Sequence, residues 1–142
     1  MEIYSTSIRI TAKGFCDIQD ITVGVRNFIR ESNITQGLIT AFVPGLTAAI
    51  TTLEFEEGVI EDFKRAIERL APKDIHYEHN ARWGDGNGFS HVRAALLGPS
   101  LTVPIIDGSL ELGTWQQIIV VDFDNRPRTR EVILQIVGNP RS

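Results

Sequence analysis

The sequence is short of several things, and each shortage closes off a class of protein. Cys16 is its one cysteine, so no intrachain disulfide can form, and no Cys/His spacing suits a structural zinc site. That lone thiol reads as a small buried apolar residue rather than a nucleophile. No apolar run approaches the roughly 20 residues of a membrane-spanning helix. Met1 to Thr11 carries charge and hydroxyls where a secretory signal would need an apolar stretch, so a cytoplasmic protein without membrane attachment is expected. Basic residues are also scarce. Fourteen Lys and Arg stand against eighteen Asp and Glu, a net charge of −4, which argues against nucleic acid as a general partner. No repeat, low-complexity tract or Pro/Gly/Ser linker interrupts the 142 residues, which are read as one domain, 1–142.

What is present is ordinary for a globular chain. The hydrophobic share of 42% and the charged share of 23% leave no room for a disordered reading. Ile8, Ile10 and Ala12 alternate with Arg9, Thr11 and Lys13, the period of a half-buried strand. Ile18, Ile21, Val25, Phe28 and Ile29 recur at helical spacing, with Asp17 or Asp20 available as a cap. Strands are expected at Leu38 to Val43 and Thr47 to Glu54, on either side of the Pro44-Gly45 turn. The clearest helix follows: Val59, Phe63, Ala66, Ile67 and Leu70 share one face, acids fill its early turns, bases come later, and Pro72 stops it. Ile75 to Asn80 reads as a strand and Ser90 to Leu97 as a short helix. Beyond it the chain reads as all-β: Leu101 to Asp107, Leu110 to Phe123 and Arg130 to Val137. Strands around two or three helices, without a regular βαβ rhythm, predict an α+β fold built on an antiparallel β-sandwich.

All three histidines fall within sixteen positions: His76, His79 and His91. On an extended strand His79 faces inward with Ile75 and Tyr77, and His91 follows a nearby glycine-rich loop. A His79–His91 pair could bind a metal or transfer protons near neutral pH. In the loop from Trp83 to Gly88, Gly84, Gly86 and Gly88 alternate with Asp85 and Asn87. Such a loop either lets backbone amides approach an anion or is a tight connection that needs positive φ. It is neither a Walker motif nor a dinucleotide fingerprint. Gly113-Thr114-Trp115-Gln116-Gln117 sets a tryptophan between polar groups, suited to a planar ring or equally to a core position. Arg126, Arg128 and Arg130 share a face of an extended chain, where they can meet phosphate or pair with carboxylates on a neighbouring strand or subunit.

Several of these segments together resemble the YjbQ family, the secondary thiamine-phosphate synthase family, in order and spacing over nearly the whole chain. They are Pro44-Gly45-Leu46-Thr47-Ala48-Ala49-Ile50 to Glu54, Leu70-Ala71-Pro72, Tyr77-Glu78-His79, Trp83 to Gly88, Ser90-His91, Gly98-Pro99-Ser100, Gly108, Leu112 to Gln116 and Asp124 to Arg128. Gly-Thr-Trp-Gln and the upstream Asn-x-x-x-His are the most specific. The resemblance implies an α+β sandwich that assembles as a homotrimer with sites near subunit boundaries. It also implies a transferase that joins a pyrimidine diphosphate to a thiazole phosphate and releases diphosphate. Carried over to this chain, Glu54 and His91 are the catalytic residues. Asn87, Gly86, Gly88, Thr114, Trp115 and Arg126 hold a small-molecule phosphate ligand, and His79 with His91 offers ligands to a divalent metal ion. A non-catalytic metal- or anion-binding trimeric module is the alternative. The chain departs from the family pattern at Gly45, Leu53 and Phe89, where many members carry His, Asn and the first His of Asn-Ala-His-Ala-His.

Overall fold

A computed structural model describes residues 1–141. The order of elements is β1 (Glu2–Ala12), β2 (Asp17–Asp20), α1 (Thr22–Ser32), β3 (Ile34–Phe42), β4 (Ala48–Leu53), α2 (Glu57–Leu70), α3 (Glu78–Trp83), α4 (Gly88–Leu97), β5 (Ser100–Ile106), β6 (Ser109–Leu110), β7 (Gln117–Asp122) and β8 (Arg128–Pro140). Every pairing is antiparallel. Five strands form one sheet in the order β1-β8-β3-β5-β6, and three form another in the order β2-β7-β4. The α+β class read from the sequence is therefore the observed one.

The two sheets enclose the main core. Ile39, Ala41, Val103, Ile105, Val132, Leu134 and Ile136 come from the large sheet, and Ile50, Ile118 and Val120 from the small one. Val25 and Ile29 of α1 close one end. A second apolar layer lies on the far side of the small sheet, where Ala49, Ile119, Val121 and Phe123 meet Ile67 of α2 and Ala94 of α4. The central strand β7 is thus covered on both faces. Its run Ile118-Ile119-Val120-Val121 is continuously apolar, as a doubly buried strand must be, whereas β8 alternates buried and exposed residues because only one of its faces is covered. Cys16 belongs to the second layer, and burial pushes its thiol up to about 11, which suits packing and not nucleophilic attack.

Some elements differ from the sequence reading. Among the described residues four helices form, not two or three. The stretch read as a strand at Ile75 to Asn80 instead turns at Lys73-Asp74 and enters α3, held by the Tyr77 hydroxyl donating to the Pro72 carbonyl (2.6 Å). The long strand expected from Leu110 to Phe123 is broken by a turn in which Gln116 N–H donates to the Gly113 carbonyl (3.1 Å) and Gly113 N–H to the Gln116 side-chain oxygen (3.0 Å). The first helix starts later than its periodicity suggests, because Asp17–Asp20 pairs with β7 as an edge strand. Asp20 does act at its entry, its carboxylate accepting from Thr22 N–H at 2.9 Å.

In α2, Glu56 caps the helix by accepting from Val59 N–H (2.8 Å), but the helix docks obliquely. Ile67 is buried at 3% exposure and Phe63 is half-buried, while Leu70, expected on the buried face, is 70% exposed. Ile67→Ala should therefore cost roughly 2–5 kcal/mol, and Leu70→Ala should lie within about 0.5 kcal/mol of the unaltered protein. Equal shifts of the two variants in urea melts would contradict this docking of α2.

Candidate functional site

The last residue of β7 and the first residues of β8 converge on the start of β4. Asp122 and Asp124 have no solvent exposure, so their charges must be met inside the protein. Arg130 meets Asp122 through two bonds, Nε to Oδ2 at 2.8 Å and Nη2 to Oδ1 at 3.2 Å, and its Nη2 also donates to Thr47 Oγ1. Arg128 donates Nε to Asp124 Oδ2, and its side chain remains 34% exposed. Burial alone would raise the Asp124 pKa. Bonds from Asn125 N–H, Thr47, Asn87 and Arg128 overcome that and hold the carboxyl below its ordinary range. Gly45, at φ 120°, is left without a side chain where a Cβ would come within 2.9 Å of Arg130 Nη1.

Above this charged floor the two histidines meet. The His79 and His91 rings lie 4.3 Å apart between centroids, tilted by 39°. Their pairing is the one read from the sequence, although His79 projects from α3 and not from a strand. Asp85 Oδ1 is 3.3 Å from His79 Nδ1 but out of hydrogen-bond alignment. Burial, and then the charge of His79, lowers the His91 pKa; Asp85 and Asp124 oppose the shift without cancelling it. Asn87 is the remaining member. Its amide nitrogen faces Asp124 Oδ1 at 3.4 Å, and since an ionised carboxylate only accepts, the amide orientation is set. Asn87 Oδ1 is then a buried acceptor with no partner. Together Thr47, His79, Asp85, Asn87, His91 and Arg128 line a cavity of about 370 Å³.

The other expected site residues stand elsewhere. β4 pairs Ala48 with Asp122 at one end and Leu53 with Gln117 at the other. At ~3.3 Å per residue, Glu54 lies roughly 20 Å from the histidines' end of the strand. Glu54 is exposed there, and so are Thr114 and Trp115, the latter at 72%. Gln116 Nε2 ties this turn to Thr52 Oγ1 at 3.2 Å. Trp115 is therefore neither a wall of the histidine pocket nor a core residue. Arg126 is exposed in the turn before β8, and the residues its stripe brings to the pocket are Arg128 and Arg130. The pairing of this stripe with carboxylates of a neighbouring strand, left open by the sequence, is what forms.

The glycine-rich loop serves as a connection. Gly84 ends α3 in the left-handed region (φ 74°), Gly86 turns at φ 72°, and a Cβ on Gly88 would strike Tyr77 Cβ at 2.6 Å. Gly88 N–H is already taken by Asn80 Oδ1 (2.9 Å). Gly86 and Gly88 do not line the cavity. Asn80, Asp124 and Thr47, which hold the site together, were missed; only the recurrence of Asp in Asp122-Phe123-Asp124 opposite the Arg stripe could have signalled them.

Comparison with known proteins follows the same lines. A sequence profile described as UPF0047 protein YjbQ-like matches residues 6–139. The chain belongs to the YjbQ-like UPF0047 family. A UPF0047 protein of Methanothermobacter thermautotrophicus is 37% identical over 99% of this chain and 96% of its own length. UPF0047 protein YugU of Bacillus subtilis is 36% identical over 84% of this chain and 88% of its own. A YbjQ-like protein of unknown function from Sulfolobus solfataricus superimposes with a TM-score of 0.92 at 30% identity, covering 97% of this chain and 99% of that one. The fold of this YjbQ-like chain is thus shared at near full length. No helix among its described residues is long and apolar enough to cross a membrane.

Since the folded His91 ring takes up a proton less readily than an exposed one, its NMR titration should have a midpoint below 6.5. Replacing His79 with Gln should move that midpoint upward, because one of the two depressing influences is gone. A depressed folded pKa costs stability as pH falls from about 6.5 through the folded value, and costs nothing well above 6.5. A midpoint at or above 6.5 would contradict the arrangement.

Proposed function

We propose that this YjbQ-like chain is a small-molecule phosphate enzyme whose working groups are His91 and Arg128. One observation carries the reading: a histidine held toward its neutral form shares an open cavity with a partly exposed guanidinium that is anchored from behind. Arg128 is fixed through Nε by Asp124, which leaves its other N–H donors for phosphate oxygens. His91, neutral near pH 7, can take or return a proton there. The reaction best matched to this pair is the one implied by the family resemblance. The ring nitrogen of a thiazole phosphate attacks the carbon that carries diphosphate on a pyrimidine, a C–N bond forms, and the C–O bond breaks with its electron pair leaving on diphosphate. Arg128 would meet the charge that develops on the leaving group, and the N–H of the neutral His91 ring would donate a hydrogen bond to it.

The two histidines do not suit the divalent ion expected of them. Among the described residues no three His, Cys, Asp or Glu side chains gather as a metal-binding group. The tilted His79 and His91 rings pack on each other, 4.3 Å apart between centroids. Glu54 and Trp115 lie too far along the same chain to serve this pocket. The acid–base work of one protomer therefore falls to His91. This favours, as second reading, an anion-binding module that does not turn its ligand over.

Calorimetry with diphosphate should show binding that Arg128→Ala weakens by about tenfold or more. Incubation with the pyrimidine diphosphate and the thiazole phosphate should yield thiamine phosphate, at a rate that His91→Ala lowers by roughly 10²–10⁴-fold. Binding without any turnover would select the second reading, and no binding of diphosphate would remove both. We further propose that the trimer implied by the resemblance forms through the outer face of the large sheet. That face leaves Ile3 (64%), Leu38 (51%) and Phe42 (38%) exposed. Light scattering should then give about three times the 15.8 kDa of one chain, and a monomer at micromolar concentration would contradict it.

A further inference from the structure

Three consecutive residues between β1 and β2 have left-handed backbones: Gly14 at φ 86°, Phe15 at φ 53° and Cys16 at φ 70°. Glycine adopts that region freely. A bulky side chain does not, and a Phe there is an outlier that its surroundings must enforce. Burial does not explain it, since Phe15 is 49% exposed. Gly14 stands where contact forbids a side chain, because a Cβ on it would come within 2.4 Å of the Asp124 carbonyl oxygen. The next position carries a ring instead, at a conformational cost that glycine would spare.

That residue touches both halves of the histidine site from behind. Phe15 N–H donates to the Asp124 carbonyl (2.8 Å) and Cys16 N–H to the Asp122 carbonyl (2.9 Å). The carboxylate of the same Asp124 holds Arg128. On the other half, the Phe15 ring stacks on Phe89 of α4, with centroids 6.2 Å apart and planes inclined by 13°. Phe89 is buried, and the guanidinium of Arg93 lies 4.9 Å from its ring centroid. Arg93 is itself fixed, donating to the Ala71 carbonyl and to Glu68. Phe89 and His91 are two residues apart on α4, so at about 100° per residue their side chains leave the helix on nearly opposite sides. A contact that sets the rotation of α4 at Phe89 therefore also sets the direction of His91.

We propose that Phe15 is a positioning residue of this site: its ring, held against Phe89 by a left-handed backbone, fixes the spacing between His91 on α4 and Arg128 on β8. The proposal rests on the reading of His91 and Arg128 as the working groups and adds the element that relates them. Phe15 does not line the cavity, so its effect on a ligand passes through those two side chains.

Two variants, Phe15→Gly and Phe15→Tyr, separate positioning from packing. Glycine takes a φ of 53° without strain, so Phe15→Gly removes the ring and keeps the course of the chain. By calorimetry it should bind diphosphate about threefold or more weakly than the unaltered protein. In the same variant the NMR titration midpoint of His91 should rise toward 6.5, because a ring no longer held in place is better solvated. Phe15→Tyr keeps the stacked ring and should restore both the affinity and the midpoint. An unchanged His91 midpoint in Phe15→Gly would leave Phe15 a packing role alone and overturn the proposal, whatever happens to the melting temperature. Phe15→Tyr behaving like Phe15→Gly would overturn it as well. If the midpoint moves in Phe15→Gly but diphosphate does not bind even the unaltered protein, the phosphate reading fails while the positioning of His91 by Phe15 stands.

Discussion

Two carboxylates with no exposure, Asp122 and Asp124, sit where the small sheet hands the chain to the large one. Leaving either charge unmet would cost several kcal/mol, and removing one partner of a buried pair typically costs about 3–5 kcal/mol. The surrounding residues answer that demand one by one. Arg130 returns from β8 to Asp122, Arg128 to Asp124, and Thr47 bridges the two systems by donating to Asp124 (2.9 Å) while accepting from Arg130. The β7–β8 turn, the start of β4 and the entry to α4 are thereby fixed against each other. The pocket inherits the same constraint, since an Arg neutralised from behind and an Asn oriented by a carboxylate arrive there already positioned.

Much of this was legible in the sequence, for identifiable reasons. Period-2 alternation at Ile8, Ile10 and Ala12 marked β1, and the apolar face and charge gradient of α2 marked that helix and its ends. The histidine pair was found too, but through the wrong local structure. His79 was placed inward by strand geometry, whereas the Lys73-Asp74 turn and Tyr77 send the chain into α3, which happens to deliver the ring to the same place. Ile75 to Asn80 has a strand's composition and lacks a partner strand, and partners are not visible in a single segment.

Site residues carried by the family motif were harder to place, because a motif gives order along the chain and not position along a strand. Glu54 and Gly45 are nine residues apart in sequence and bracket β4, so an extended strand puts them at opposite ends of that strand. Of the alternating Arg stripe only Arg128 and Arg130 share a face at the pocket, because β8 begins at Arg128. Arg126 is left in the turn as a consequence. The glycine-rich loop resembled an anion cradle by composition, yet its amide at Gly88 is taken by Asn80 and its glycines meet turn and packing needs.

The central claim is that the working site lies at the histidine end of β4 and not at the end that carries Glu54 and Trp115. A crystal structure of the protein soaked with diphosphate tests it most directly. Diphosphate within hydrogen-bond distance of Arg128 and beside the His91 ring is the predicted result. Diphosphate bound against Trp115 and Thr114, with the histidine cavity holding only solvent, would contradict the account.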